Sequence, residues 1–176
     1  MLFSDRSLLT MFHGLVLSGG ALVLLFTALF TLRVMAAPEG SAVPARTSTA
    51  FAWLMVATAA LLWMSVIGGA YIVFPMYRAT PPEGVASLAD YPRALLMANP
   101  DTRWLHAFGM EIKEHMPWIA AMLVTAAAFV ARRHRDTLLA NASQRRVIGA
   151  LLGVALVLVS FVALLGVFVN KVAPVW

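Results

Sequence analysis

A cluster of ionisable side chains stands at the start of the third long apolar segment. Its members are His106, Glu111, Lys113, Glu114 and His115. The chain then continues into residues 119–131, which are apolar apart from Thr125. Charge at membrane depth is costly, and such side chains usually face the interior of a helix bundle or a wet cavity. Any chemistry of this protein is therefore expected in this segment.

The spacing of the cluster divides it between two faces of a helix. At ~100° per residue, Glu111, His115 and Trp118 share one face, whereas His106 and Lys113 lie roughly opposite. Glu111 and His115 are four residues apart and can form a hydrogen bond through one imidazole nitrogen. The other nitrogen is then free for a metal, a haem iron or a proton. We predict that this pair faces the interior of the bundle.

A second histidine reaches the same depth from another helix. A span needs about 20 residues, and counting back from residues 32 and 131 places His13 and His115 at the same edge of the hydrocarbon layer. These two residues are the predicted metal ligands, and His106 is the alternative partner for His13. The group that suits two histidines from different helices is haem b, whose propionates can pair with Lys113. Copper is less favoured, because the methionines that would complete such a site are also routine gap fillers.

Composition indicates an all-α protein that is embedded in a membrane. Of the 176 residues, 61% are hydrophobic and 12% are charged, against roughly 25% charged in soluble domains. We predict a four-helix transmembrane bundle that forms a single integral membrane domain over residues 1–176. The predicted helices cover about residues 8–32, 49–74, 102–131 and 147–169. The connector 77–101 contains a predicted interfacial helix at residues 87–97.

Several classes of function are not supported by the sequence. It has no cysteine, which excludes disulfides, cysteine-ligated iron–sulfur clusters and haem attached through C-x-x-C-H. It also lacks a Gly-rich phosphate loop and an H-E-x-x-H motif, so nothing in it indicates a stand-alone enzyme. The net charge of +5 indicates orientation in a membrane and not nucleic-acid binding.

The distribution of basic residues predicts the topology. Five arginines lie in the third connector, at positions 132, 133, 135, 145 and 146. Connectors rich in arginine and lysine remain on the cytoplasmic side. We therefore predict a protein of a bacterial inner membrane with both termini outside, and the three histidines lie near the outer face.

Four helices with facing histidines resemble small membrane-bound b-type cytochromes and the haem-bearing anchor subunits of respiratory complexes. This resemblance is one of architecture, and it implies a subunit of an electron-transfer complex that binds one haem b, or a quinol, near the outer face. Membrane lipid, other subunits and quinone are the partners it implies. Two other hypotheses remain: a non-catalytic accessory subunit without a cofactor, and a proton or ion carrier that uses Glu111, Lys113 and Glu114.

Overall fold

In the computed structural model, which describes residues 4–174, four long helices form a bundle and two short helices lie in the connectors. The long helices are α1 (Asp5–Val34), α2 (Ala45–Tyr77), α4 (Leu105–Arg133) and α6 (Ala142–Val172). The short helices are α3 (Pro92–Ala98) and α5 (Arg135–Leu138). The described residues contain no strand. The predicted all-α fold is therefore confirmed.

Each of the four long helices is long and apolar enough to cross a membrane, and the chain is a membrane protein. All four end two or three residues later than predicted, and three begin earlier because their first turns are polar and fall outside the apolar runs. Ser4 Oγ accepts a hydrogen bond from the Ser7 backbone N–H at the start of α1. Asn141 Oδ1 accepts from the backbone N–H groups of Ser143 and Gln144 at the start of α6. Such caps satisfy N–H groups that have no partner within the helix.

The two segments before the third span differ from their predicted limits. The interfacial helix predicted at residues 87–97 is the shorter α3, which begins at Pro92. Proline favours the first turn of a helix because its missing N–H would have no partner there. Helix α4 begins at Leu105 and not at residue 102, because Asn99 Oδ1 accepts from the Asp101 N–H in a preceding turn.

The bundle is a closed ring of antiparallel neighbours. Helix α2 packs against α1 and α4, and α6 packs against α4 and α1. Helices α1 and α4 therefore stand diagonally across the bundle, as do α2 and α6. Alanines form much of the interior face of α4, and such small side chains allow helix backbones to approach closely in a membrane. The buried alanines of α4 are Ala120, Ala121, Ala127, Ala128 and Ala131.

Two hydrogen bonds link neighbouring helices within the body of the bundle. Nearer the middle, Trp63 Nε1 donates a hydrogen bond of 2.8 Å to Thr125 Oγ1, which links α2 to α4. Nearer the end at which α2 terminates, the hydroxyls of Ser18 and Ser65 lie 2.7 Å apart and link α1 to α2. Interhelical hydrogen bonds of this kind contribute ~0.6 kcal/mol on average in a membrane.

Three of the long helices widen into π-helical turns toward that same end of the bundle. These turns are Phe12–Gly19 in α1, Gly69–Val73 in α2 and Leu105–Met110 in α4. The turn in α2 ends two residues before Pro75, which has no N–H for a regular helical hydrogen bond. Short π-helical segments inside α-helices occur frequently at functional sites, and these three surround His13, Gly69 and His106.

Candidate functional site

Glu111 and His115 lie on the outside of the bundle. Their side chains are 66% and 69% exposed, and His115 Nδ1 lies 4.0 Å from the Glu111 carboxylate. The close partner of the imidazole is instead the backbone carbonyl oxygen of Glu111, 2.7 Å from His115 Nδ1. The prediction that this pair faces the bundle interior is therefore wrong, although the two residues do share one face of the helix.

The carbonyl contact determines which nitrogen of His115 carries the proton. A carbonyl oxygen can only accept a hydrogen bond, so Nδ1–H of His115 is the donor in this contact. In the neutral imidazole, Nε2 is then an unprotonated nitrogen with a free lone pair. From the sequence, we expected the Glu111 side chain to form the hydrogen bond that orients the His115 ring. In the structure, the main-chain carbonyl of Glu111 forms it.

Lys113 points the opposite way, into the bundle. Its Nζ lies 2.9 Å from the position that a Cβ atom would take at Gly166 of α6, so a larger residue there would require the lysine side chain to shift. The structure gives Lys113 no hydrogen bond or ion pair with any residue of the described range 4–174. Placing an ammonium group inside the bundle without a partner is costly, and Gly166 leaves the space that the partly buried lysine occupies.

His13 enters the same end of the bundle from the diagonal helix. Its imidazole packs against Gly69 of α2, with Cε1 only 2.8 Å from the position of a Cβ atom at that glycine. His13 Nδ1 is buried and has no hydrogen-bond partner among the described residues. Lys113 is close enough to His13 for the two side chains to interact electrostatically.

These four residues, one from each long helix, define what we call the inner polar layer: His13, Gly69, Lys113 and Gly166. Two of them are ionisable, and the two glycines provide the space that the ionisable side chains occupy. A signal for the inward direction of Lys113 exists in the sequence. The small residues Ala131, Ala127 and Ala120 define the interior stripe of α4, and Lys113 lies seven residues before Ala120 on that stripe.

His106 forms a second polar contact toward the end at which α2 terminates. Its Nδ1 lies 2.8 Å from the hydroxyl oxygen of Tyr77, and Tyr77 is only 3% exposed. Arg93 and Glu114 lie within electrostatic range of both rings. This contact has no signal in the sequence, because residue type alone does not distinguish the buried Tyr77 from the exposed Tyr71.

His13, His106 and His115 therefore share one end of the bundle but face three directions. His13 faces Gly69, His106 faces Tyr77, and His115 faces outward. The prediction that His13 and His115 meet is wrong, and a haem b held between these two residues does not fit the arrangement. The part of the chain that the structure describes also contains no group of three His, Cys, Asp or Glu residues suited to a metal ion. That the protein is a subunit of an electron-transfer complex and binds a haem b or a quinol remains a prediction.

Comparison with models of known protein families, with curated proteins and with solved structures finds no match to this chain.

Replacing Lys113 with methionine tests how much the lysine of the inner polar layer lowers the stability of the bundle. The substitution removes an ammonium group that has no partner among residues 4–174 while keeping a long flexible side chain, so we expect Lys113→Met to stabilise the bundle. Each kcal/mol gained raises the melting temperature by roughly 2–4 °C in a protein of this size. Thermal unfolding of the purified protein in detergent measures the change.

Lys171→Met is the matched control, because Lys171 is an exposed lysine near the end of α6 and we expect it to leave the melting temperature unchanged. A lower melting temperature in Lys113→Met, with no change in Lys171→Met, would contradict the account and would mean that the buried amine has a stabilising acceptor.

Proposed function

We propose that this chain is a non-catalytic transmembrane subunit of a larger membrane complex. The observation that supports the proposal is the outward direction of Glu111 and His115, whose side chains are 66% and 69% exposed on a helix otherwise suited to lipid. Counting about 20 residues back from the arginines that end α4 reaches the hydrocarbon edge near Ile112. His115 then lies about 4 Å inside that edge at a rise of ~1.5 Å per residue.

The energetic cost of that position favours a protein neighbour over lipid. An aspartate, lysine or arginine at the centre of a lipid-facing helix costs roughly 2.5–3.5 kcal/mol, and the cost decreases toward the interface. A partner helix that offers a hydrogen bond to His115 would replace the water that the residue lacks at this depth. Ionisable residues inside a membrane usually face protein or water for this reason.

Replacing the outward-facing pair Glu111 and His115 with alanine is expected to release the subunit from its complex. We expect the tagged protein, extracted from its native membrane in a mild detergent, to migrate as one complex much larger than its own mass of 19.0 kDa. In the double variant Glu111→Ala/His115→Ala the chain should shift to the size of the free subunit. Blue native electrophoresis measures the distribution between the two sizes.

The control is Glu39→Ala/His134→Ala, which removes the same two residue types from connectors at the other end of the bundle, where both are exposed. It should leave the large complex intact. Wild-type protein that migrates only at the size of a single subunit would exclude the proposal.

A second candidate function, electron transfer, is favoured by the free Nε2 of His115. Because Nδ1 donates to the Glu111 carbonyl oxygen, the neutral imidazole directs an unprotonated nitrogen away from its own helix. Such a nitrogen can bind a haem iron or accept a hydrogen bond from a quinol. In this proposal His115 and a partner subunit together hold a haem b or a quinol near the outer face. His13, His106 and Lys113 then belong to the interior of this chain and do not ligate the group.

An optical spectrum of the purified complex tests whether the group held by His115 is a haem. We expect reduced-haem bands in the wild type that are lost or shifted in His115→Ala, because the variant removes an axial nitrogen. The control His134→Ala changes an exposed histidine in the arginine-rich connector and should leave the bands unchanged. Identical spectra in the wild type and in His115→Ala would exclude ligation of a haem by His115.

We also propose that the protein lies in a bacterial inner membrane with both termini outside. The arginine-rich connector between α4 and α6 supports this orientation, since such connectors remain in the cytoplasm. We expect a periplasm-dependent reporter such as alkaline phosphatase to be active when fused after Trp176. Activity of a cytoplasm-dependent reporter at that position would reverse the topology and place the histidines near the inner face.

A further inference from the structure

A cleft of about 310 Å³ opens between the end of α2 and the short helix α3. Its walls include the two arginines Arg78 and Arg93, together with Thr80 and Met97. The cleft is separate from the inner polar layer and from the outward pair Glu111 and His115. It thus combines cationic and hydroxyl groups with apolar surface at one end of the bundle.

Neither arginine has an acidic partner in the described range 4–174, in which the structure gives ion pairs only at His115–Glu111 and Arg135–Asp136. The guanidinium carbon of Arg78 lies 5.4 Å from the centre of the Phe74 ring, a contact that holds the group beside the cleft and leaves its N–H edges free. Arg93 is half-buried. Two guanidinium groups therefore border one cleft, and neither forms an ion pair within the described range.

The depth of the cleft matches the level of lipid phosphates. Helix α2 has 33 residues, which at ~1.5 Å per residue corresponds to roughly 50 Å. A bilayer with its headgroups is roughly 40–45 Å thick, so the end of α2 and the adjoining Arg78 reach the headgroup region. Helix α3, which carries Arg93, packs at the same end of the bundle.

We propose that this cleft binds the phosphate group of an anionic phospholipid. Guanidinium groups match phosphate oxygens in both charge and geometry, and they form paired hydrogen bonds to them. Thr80 supplies a hydroxyl donor at the same wall, and Met97 provides apolar surface for the glycerol backbone and the start of an acyl chain. An anionic lipid is favoured over a zwitterionic one because the two positive charges have no carboxylate partner.

Lipid binding to the delipidated protein tests this inference. We expect phosphatidylglycerol to be retained in native mass spectrometry, and phosphatidylcholine to be retained much less. In Arg78→Gln/Arg93→Gln the affinity for phosphatidylglycerol should fall roughly 20- to 30-fold, because each surface arginine contributes about fivefold to the binding of an anionic lipid. The control Arg6→Gln changes an arginine of α1 that does not line the cleft, and it should retain phosphatidylglycerol as the wild type does.

Competition with inorganic phosphate shows whether the cleft binds a free phosphate ion or the phosphate group of a lipid. At a concentration equal to that of the lipid, phosphate should not displace phosphatidylglycerol, because it lacks the apolar contacts. Binding of inorganic phosphate that requires Arg78 and Arg93, without retention of phosphatidylglycerol, would overturn the lipid assignment. Equal retention of phosphatidylglycerol by the double variant and the wild type would overturn the site itself.

Discussion

A polar group inside a membrane bundle must find its space and its partners within protein, because the hydrocarbon supplies neither. In the inner polar layer, the two glycines provide the space for His13 and Lys113, but no neighbouring group forms a hydrogen bond or ion pair with either side chain in the described range. Gly69 and Gly166 receive the His13 ring and the Lys113 amine at 2.8 and 2.9 Å from the position of a Cβ atom, so an alanine at either glycine would force the facing side chain to move. His13 Nδ1 is nevertheless buried without a hydrogen-bond partner among the described residues, and the structure gives Lys113 no hydrogen bond or ion pair in the same range.

This constraint also explains how α4 is arranged. The alanine stripe that packs the helix into the bundle continues back to Lys113, so the lysine must point inward. Glu111 and His115 lie on the other face and must point outward. One helix therefore carries an unpaired cation into the interior and a carboxylate with an imidazole toward its surroundings. The interior group affects mainly the stability of this chain, whereas the outward pair is available to a neighbour.

The number of spans and the all-α class could be predicted from the sequence, because long apolar runs have one stable solution in a bilayer. The division of α4 into two faces was also predicted correctly from the helical period. The inward direction of the pair was predicted wrongly, because polarity was taken to indicate the interior when the small residues Ala120 and Ala127 identify it better. The contact between Tyr77 and His106 could not be predicted, since it depends on how far two helices separated by a long connector extend past each other.

Site-specific photo-crosslinking in native membranes tests most directly the central claim that a partner subunit covers the outward face of α4. A photoreactive residue is placed at position 115, and another at Val157, which is 67% exposed on α6. The account predicts a single protein adduct from position 115, formed with another subunit of the complex, and none from position 157. Adducts with lipid alone at position 115 would contradict it.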